Sequence, residues 1–137
     1  MDDDSEETSL TQKAFLSNMA PVVIHVVPNG MEAMRYLRKE GKYQDKPRPD
    51  LILLDLNMPV MDGKEALVEI KKDEHLLSIP VIVFSVSSRQ EDIAHAYQLH
   101  ANCYIIKPSD WKDIKRVIKC IEELWLTVAR LPDGQKC

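Results

Sequence analysis

The sequence holds no apolar run near the ~20 residues that a membrane-crossing helix requires. It also lacks an excess of positive charge. Its 18 Lys and Arg against 22 Asp and Glu leave a net charge of −4, which argues against a nucleic-acid binder needing a basic face. Cysteine is sparse: Cys103, Cys120 and Cys137 are an odd, widely spaced set with no C-x-x-C motif. They read as reduced thiols in a cytoplasmic protein, with neither a disulfide framework nor a thiolate metal site. The acidic opening "MDDDSEETSL" is the opposite of a signal peptide's basic-then-apolar start. There is no low-complexity linker and no repeat of 20–50 residues. His25, His75, His95 and His100 fall at no metal-ligand spacing.

What remains is an ordinary globular composition, 45% hydrophobic and 29% charged over 137 residues. The expectation is one domain spanning 1–137, with 126–137 as a C-terminal extension. Four β-rich runs stand out: Val22–Val27, Leu51–Leu56, Val81–Val86 and Cys103–Lys107. Three are nearly continuous apolar runs, as in a parallel sheet covered on both faces. The first carries His25 and suits an edge strand. Helical patterns are expected at Glu6–Asn18, Met31–Glu40, Lys64–Asp73, Gln90–His100 and Asp110–Leu131. The fourth is expected to open on a capping box formed by Ser88 and Glu91. Alternating strands and helices predict an α/β fold, an open parallel sheet with helices on both faces.

The last helix carries an unusually broad apolar face. Trp111, Ile114, Ile118, Ile121, Trp125 and Val128 recur at spacings of three and four, with Val117, Leu124 and Leu131 on its flank. One stripe suffices for packing on a sheet. The surplus predicts a homodimer face through Trp111, Ile118 and Trp125, with "WLTVARLP" as an overhang.

The stretch that carries chemistry is "LILLDLNMPVMDG", Leu51–Gly63. A buried strand ends in Asp55, where ligands bind in open α/β sheets. Pro59 and the Asp62-Gly63 pair then make a tight loop. The third run ends in "FSVSS", placing Ser85 at the equivalent edge, and the fourth in "IIKPS", placing Lys107 there. Each signal is weak by itself, but a carboxylate, a hydroxyl and an ammonium at the ends of three parallel strands share one rim.

On these residues the chain resembles the receiver domain of two-component response regulators, from Asp2 to about Leu131. Within that group it is similar to single-domain regulators that partner cyanobacterial phytochrome-type histidine kinases. The resemblance implies a flavodoxin-like fold and a phosphoryl group taken from a histidine kinase onto Asp55. It implies Mg²⁺ held by Asp2, Asp3, Asp55 and the backbone carbonyl of Asn57. It implies Ser85 as the switch hydroxyl, Tyr104 as the switch aromatic, Lys107 as the phosphoryl-binding cation and a cis peptide before Pro108. Tyr104 would turn inward when Ser85 engages the phosphoryl group, and the signal would pass by protein contact.

The chain departs from the family at its start. Only Met1 precedes the acidic pair, so the first strand of a receiver is missing. A late start, a strand from another chain or a remodelled sheet would each account for this. Two other functions compete. One is a phosphorylation-independent interaction module. The other is a haloacid-dehalogenase-type phosphatase, which wants a second Asp two residues after the first, where this chain has Asn57.

Overall fold

The structure is a computed structural model that describes residue 25, residues 27–56 and residues 62–128. The expected helix at Glu6–Asn18 lies outside them, as does most of the expected strand Val22–Val27. Of that run His25 and Val27 are described, and neither is in a strand.

The elements run α1 (Gly30–Leu37), a 3₁₀ turn (Gly41–Tyr43), β1 (Ile52–Leu54), α2 (Gly63–Lys72), β2 (Val81–Ser85), α3 (Gln90–Gln98), β3 (Cys103–Ile106) and α4 (Trp111–Ile121). The last helix continues past Ile121 as a π-helical segment, Glu122–Val128. The strands form a parallel sheet in the order β1-β2-β3. Leu54 pairs with Val83, and Ser85 with Ile106. A helix stands between each strand and the next, as a parallel connection requires.

Alternation along the strands divides the interior in two. Leu54, Val81 and Val83 join the buried faces of α1 and α2, through Met34, Leu37, Leu67 and Ile70, together with Ala96 of α3. Ile82 and Phe84 point the other way and meet Ile114, Ile118 and Ile121 of α4. The middle strand β2 is therefore buried at every position, which explains its unbroken apolar run. Helices cover both faces of a parallel sheet, as the sequence pattern predicts.

Three helices start on side-chain caps. Asn29 Oδ1 accepts from the Glu32 N–H at 2.9 Å, Asp62 Oδ1 from Glu65 N–H at 2.9 Å and Asp110 Oδ1 from Lys112 N–H at 2.9 Å. The capping box expected at Ser88 does not form. Arg89 is the N-cap of α3 and makes no side-chain cap bond. Ser87 takes over: its Oγ accepts from the Arg89 N–H at 3.4 Å and donates to Asp92. At the opposite end of the sheet, Lys71 Nζ donates to Leu77 O, Ile79 O and Asn102 Oδ1, at 3.2, 3.3 and 3.0 Å. Asn102 Oδ1 also accepts from Val81 N–H at 2.8 Å. This joins the end of α2 to the entries of β2 and β3, and burial holds the Lys71 ammonium below the ordinary lysine range.

The α4 stripe corrects one expectation. Ile118 is fully buried against Ile82 and Phe84 and offers nothing to a second subunit. Trp111 and Trp125 are half-buried against the same core. Among the described residues of the last helix the exposed large apolar one is Leu124, 52% accessible. Periodicity identifies a stripe but not what it faces; the middle strand β2, through Ile82 and Phe84, covers its centre. Ile118→Ala should therefore cost about 3 kcal/mol of stability in urea denaturation, with the association state at fixed protein concentration unchanged.

Candidate functional site

Parallel strands end on one edge, and here three of them end on polar residues. Asp55 directly follows β1, Ser85 closes β2 and Lys107 directly follows β3. All three are buried, at 8%, 0% and 5% accessibility. Such burial is costly for charged groups unless they are paired. Lys107 Nζ stands 3.5 Å from Asp55 Oδ2, an ion pair looser than a normal N–H···O bond. The ammonium also lies 5.4 Å from the centre of the Phe84 ring, within cation–π range. The Lys107 N–H donates to Ser85 O at 2.6 Å, which extends the β2–β3 ladder by one residue and sets Lys107 beside the serine.

The loop after β1 returns to α2 by a very close approach. The Gly63 N–H donates to Leu56 O at 2.9 Å. A Cβ at Gly63 would lie 2.1 Å from Asp55 O and 2.6 Å from Leu56 Cα. The Asp62-Gly63 pair thus has two duties: Asp62 caps α2, and Gly63 lets its first turn touch the backbone of Asp55.

A polar chain runs from the edge into the next helix. The Ser87 N–H donates to Ser85 Oγ at 3.4 Å. Ser87 Oγ donates to Asp92 Oδ2 at 2.6 Å, and Lys64 Nζ lies 3.3 Å from Asp92 Oδ1. The Ser87 bond, and then Lys64, hold the Asp92 carboxyl below the usual carboxylate range despite some desolvation. Tyr104 donates its hydroxyl to Ser87 O at 2.8 Å, and its N–H donates to Tyr97 Oη at 3.0 Å. Its ring is half-buried against the α1–α2 core, so Tyr104 stands in the inward position.

The structure thus brings Asp55, Ser85 and Lys107 together, with Tyr104 one serine away. Asp2, Asp3 and Asn57 lie outside the described residues. The peptide bond before Pro108 is trans, contrary to the cis bond that the resemblance implied. Trans is the lower-energy state of an X-Pro bond by about 0.5–1 kcal/mol, and the ladder runs through Lys107 into it. Asp55 supplies a hard carboxylate oxygen, which suits Mg²⁺ or a similar divalent cation. Among the described residues no group of three or more His, Cys, Asp or Glu gathers. Sequence reasoning missed Ser87, Asp92 and Lys64. The signal available was the surplus of hydroxyls in "SVSS", beyond the one that the site needs.

An open parallel sheet with carboxylate, hydroxyl and ammonium on its C-terminal edge defines a domain of the receiver class. Residues 1–119 match the response regulator receiver domain, and the chain belongs to that family. It is 37% identical over 132 residues to response regulator Rcp1 of Synechocystis sp., spanning 96% of this chain and 90% of that protein. It is 38% identical to the probable methanogenesis regulatory protein FilR2 of Methanothrix harundinacea, over 96% of this chain and 84% of that one. Its fold matches the crystal structure of the phosphorylated cyanobacterial phytochrome response regulator RcpA with a TM-score of 0.93. That pair is 47% identical, with 97% of this chain and 95% of that chain covered. The Mn²⁺-bound form of Rcp1 matches with a TM-score of 0.90 at 37% identity, over 97% and 96% of the two chains. The chain is thus a receiver domain homologous to phytochrome response regulators, a relationship consistent with phosphoacceptor function, and a relative of this fold carries a divalent metal. Among the described residues no helix is long and apolar enough to cross a membrane.

The polar chain carries a pH dependence. The folded-state pKa of Asp92 is lowered from 3.8, so its contribution to stability is complete above that value. It is lost as pH falls through the lower, folded value. In acid denaturation the stability gap between the native chain and Asp92→Asn should stay constant above about pH 5 and close below pH 3.8.

Proposed function

We propose that this chain is a phosphoacceptor switch that takes a phosphoryl group from a histidine kinase onto Asp55. The observation that carries this reading is the buried Asp55–Lys107 pair beside the buried Ser85 hydroxyl. An Asp55 carboxylate oxygen attacks the phosphorus of a phosphohistidine. The P–N bond breaks, its electron pair stays on the imidazole, and Asp55 becomes an acyl phosphate. Lys107 turns from the Asp55 carboxylate toward the phosphoryl oxygens, where it balances charge in a site shielded from water. Ser85 donates its hydroxyl to one of those oxygens. Asp55, Asp2, Asp3 and the Asn57 carbonyl are the groups that would hold Mg²⁺, which when bound supplies further positive charge to the transferring group.

The readout follows from connectivity. Ser85 Oγ is bonded to the Ser87 N–H, and the Ser87 carbonyl holds the Tyr104 hydroxyl. A demand on Ser85 is therefore a demand on the loop and on Tyr104, a two-state element biased by a local change of charge. Asn57 in place of a second Asp disfavours a turnover phosphatase, so the domain carries one phosphate rather than hydrolysing many esters. Likeness to phytochrome response regulators favours a phytochrome-type kinase as donor, with a cytoplasmic setting for both. Residues 1–137 would act as one receiver by protein contact, with 126–137 as an extension. A homodimer would form through the last-helix region, where Leu124 is exposed and Trp111 and Trp125 are half-buried. Ile118 has no part in it.

Incubation with Mg²⁺ and a small phosphodonor should add a single phosphate by intact mass, absent in Asp55→Asn. Lys107→Met should lower the phosphorylation rate by about 100-fold. Rapid multiple turnover of phosphoesters would point to an enzyme, and no uptake would favour a phosphorylation-independent interaction module. Light scattering at micromolar concentration should give twice the 15.7 kDa chain mass, and Leu124→Glu should shift it toward one. A monomer persisting at high concentration would refute the dimer.

A further inference from the structure

Lys64, Asp92 and Ser87 belong to three separate elements. Lys64 is in the first turn of α2, Asp92 in the first turn of α3 and Ser87 in the loop after β2. Neither the phosphoryl chemistry nor the core needs them, yet they form one unbroken polar chain. Lys64 Nζ to Asp92 Oδ1 is 3.3 Å, and Asp92 Oδ2 to Ser87 Oγ is 2.6 Å. Both carboxylate oxygens of Asp92 are thereby engaged, one on each neighbour.

The two ends of this chain are anchored differently. At one end Lys64 follows Gly63, whose backbone approaches Asp55 so closely that no Cβ fits. That end is rigid and fixed to the acceptor residue. At the other end, Ser87 sits in a loop whose N–H reaches Ser85 Oγ at 3.4 Å, at the limit of a hydrogen bond. Its carbonyl receives the Tyr104 hydroxyl at 2.8 Å. So the strongest tether on the Ser87 loop comes from Asp92, and what the tether holds in place is the carbonyl that keeps Tyr104 inward.

We propose that Lys64–Asp92–Ser87 is a latch that favours the Tyr104-inward conformation and thereby sets the equilibrium of the switch. The proposal rests on the phosphoacceptor reading for its consequence but not for its geometry. Lys64 and Asp92 are positioning residues, acting on Tyr104 through the Ser87 loop. A tether that exists in one of two states shifts the population toward that state by its differential stabilisation. A partly exposed, charge-assisted pair of this kind shifts it by roughly three- to tenfold. Engagement of Ser85 by a phosphoryl group and the inward position of Tyr104 are linked through the same loop. Loss of the latch then weakens binding of a phosphoryl mimic at Asp55 by the fall in the inward population, at most that factor.

The test uses the full chain with Asp92→Asn, Lys64→Met and the double variant. Hydrogen exchange of the Ser87, Ser88 and Arg89 amides and the NMR signals of the Tyr104 ring are read without phosphodonor. Both single variants should speed exchange in this loop roughly three- to tenfold and shift Tyr104 toward a solvent-exposed environment. The double variant should do no more than either single one, because one chain is broken in each case. Asp92→Glu, which keeps the charge, should restore part of the protection. Beryllofluoride with Mg²⁺ should bind each single variant more weakly, by no more than that factor. Unchanged exchange and an unchanged Tyr104 signal in Asp92→Asn, with its melting temperature preserved, would overturn the latch. So would effects that simply add in the double variant. If the native chain binds no beryllofluoride, the phosphoacceptor reading fails, and the exchange data alone decide the latch.

Discussion

The buried ion pair between Lys107 and Asp55 is the constraint on which the rest depends. Removing two charges from water costs several kcal/mol per ion even after relaxation, and pairing them at 3.5 Å, with the Phe84 ring beside the ammonium, offsets part of that cost. Apolar residues of similar volume would serve stability as well or better. A buried pair of this kind fits the proposed function, in which each partner engages a phosphoryl group. Its placement requires parallel strands ending together, a ladder bond from Lys107 back to Ser85, and a glycine that lets the next helix start against the Asp55 backbone.

The same economy runs outward from the site. The Ser87 loop would be a short stretch of exposed backbone without Asp92 and Tyr104 to hold it. Asp92 in turn is held by Lys64, one residue from the point where α2 touches Asp55. Asp55, Ser85 and Tyr104 are thus three points on a closed circuit of backbone and polar contacts, so a change at one must be absorbed by the others. The end of the sheet around Lys71 shows the contrast. There one ammonium donates to three carbonyl-type oxygens and ties the entries of β2 and β3 to the end of α2.

Much of this was legible in the sequence because it follows from period and position. Continuous apolar runs marked the strands of a covered parallel sheet, and Asp55, Ser85 and Lys107 each fall where such a run stops. What was not legible depended on competition between neighbours. Ser88 and Glu91 fit a capping box by spacing, but α3 starts on Arg89, whose N–H and whose neighbour Asp92 are held instead by the Ser87 hydroxyl. The stripe of α4 gave its own phase correctly, yet only the sheet's two faces decide that Ile118 is buried and Leu124 is exposed. The conformation of the bond before Pro108 is not encoded by the Lys-Pro pair alone. Lys64–Asp92 joins residues far apart in sequence on different helices, for which no local pattern exists.

In the proposed function Lys107 and Ser85 exchange their resting contacts for a phosphoryl group on Asp55. A crystal structure of the full chain with Mg²⁺ and beryllofluoride tests it most directly. The expected result is beryllium bonded to an Asp55 carboxylate oxygen, with Lys107 Nζ and Ser85 Oγ each within hydrogen-bonding distance of a fluorine and Tyr104 inward on Ser87. Beryllofluoride bound elsewhere, or bound at Asp55 with Lys107 still directed only at the carboxylate, would contradict it.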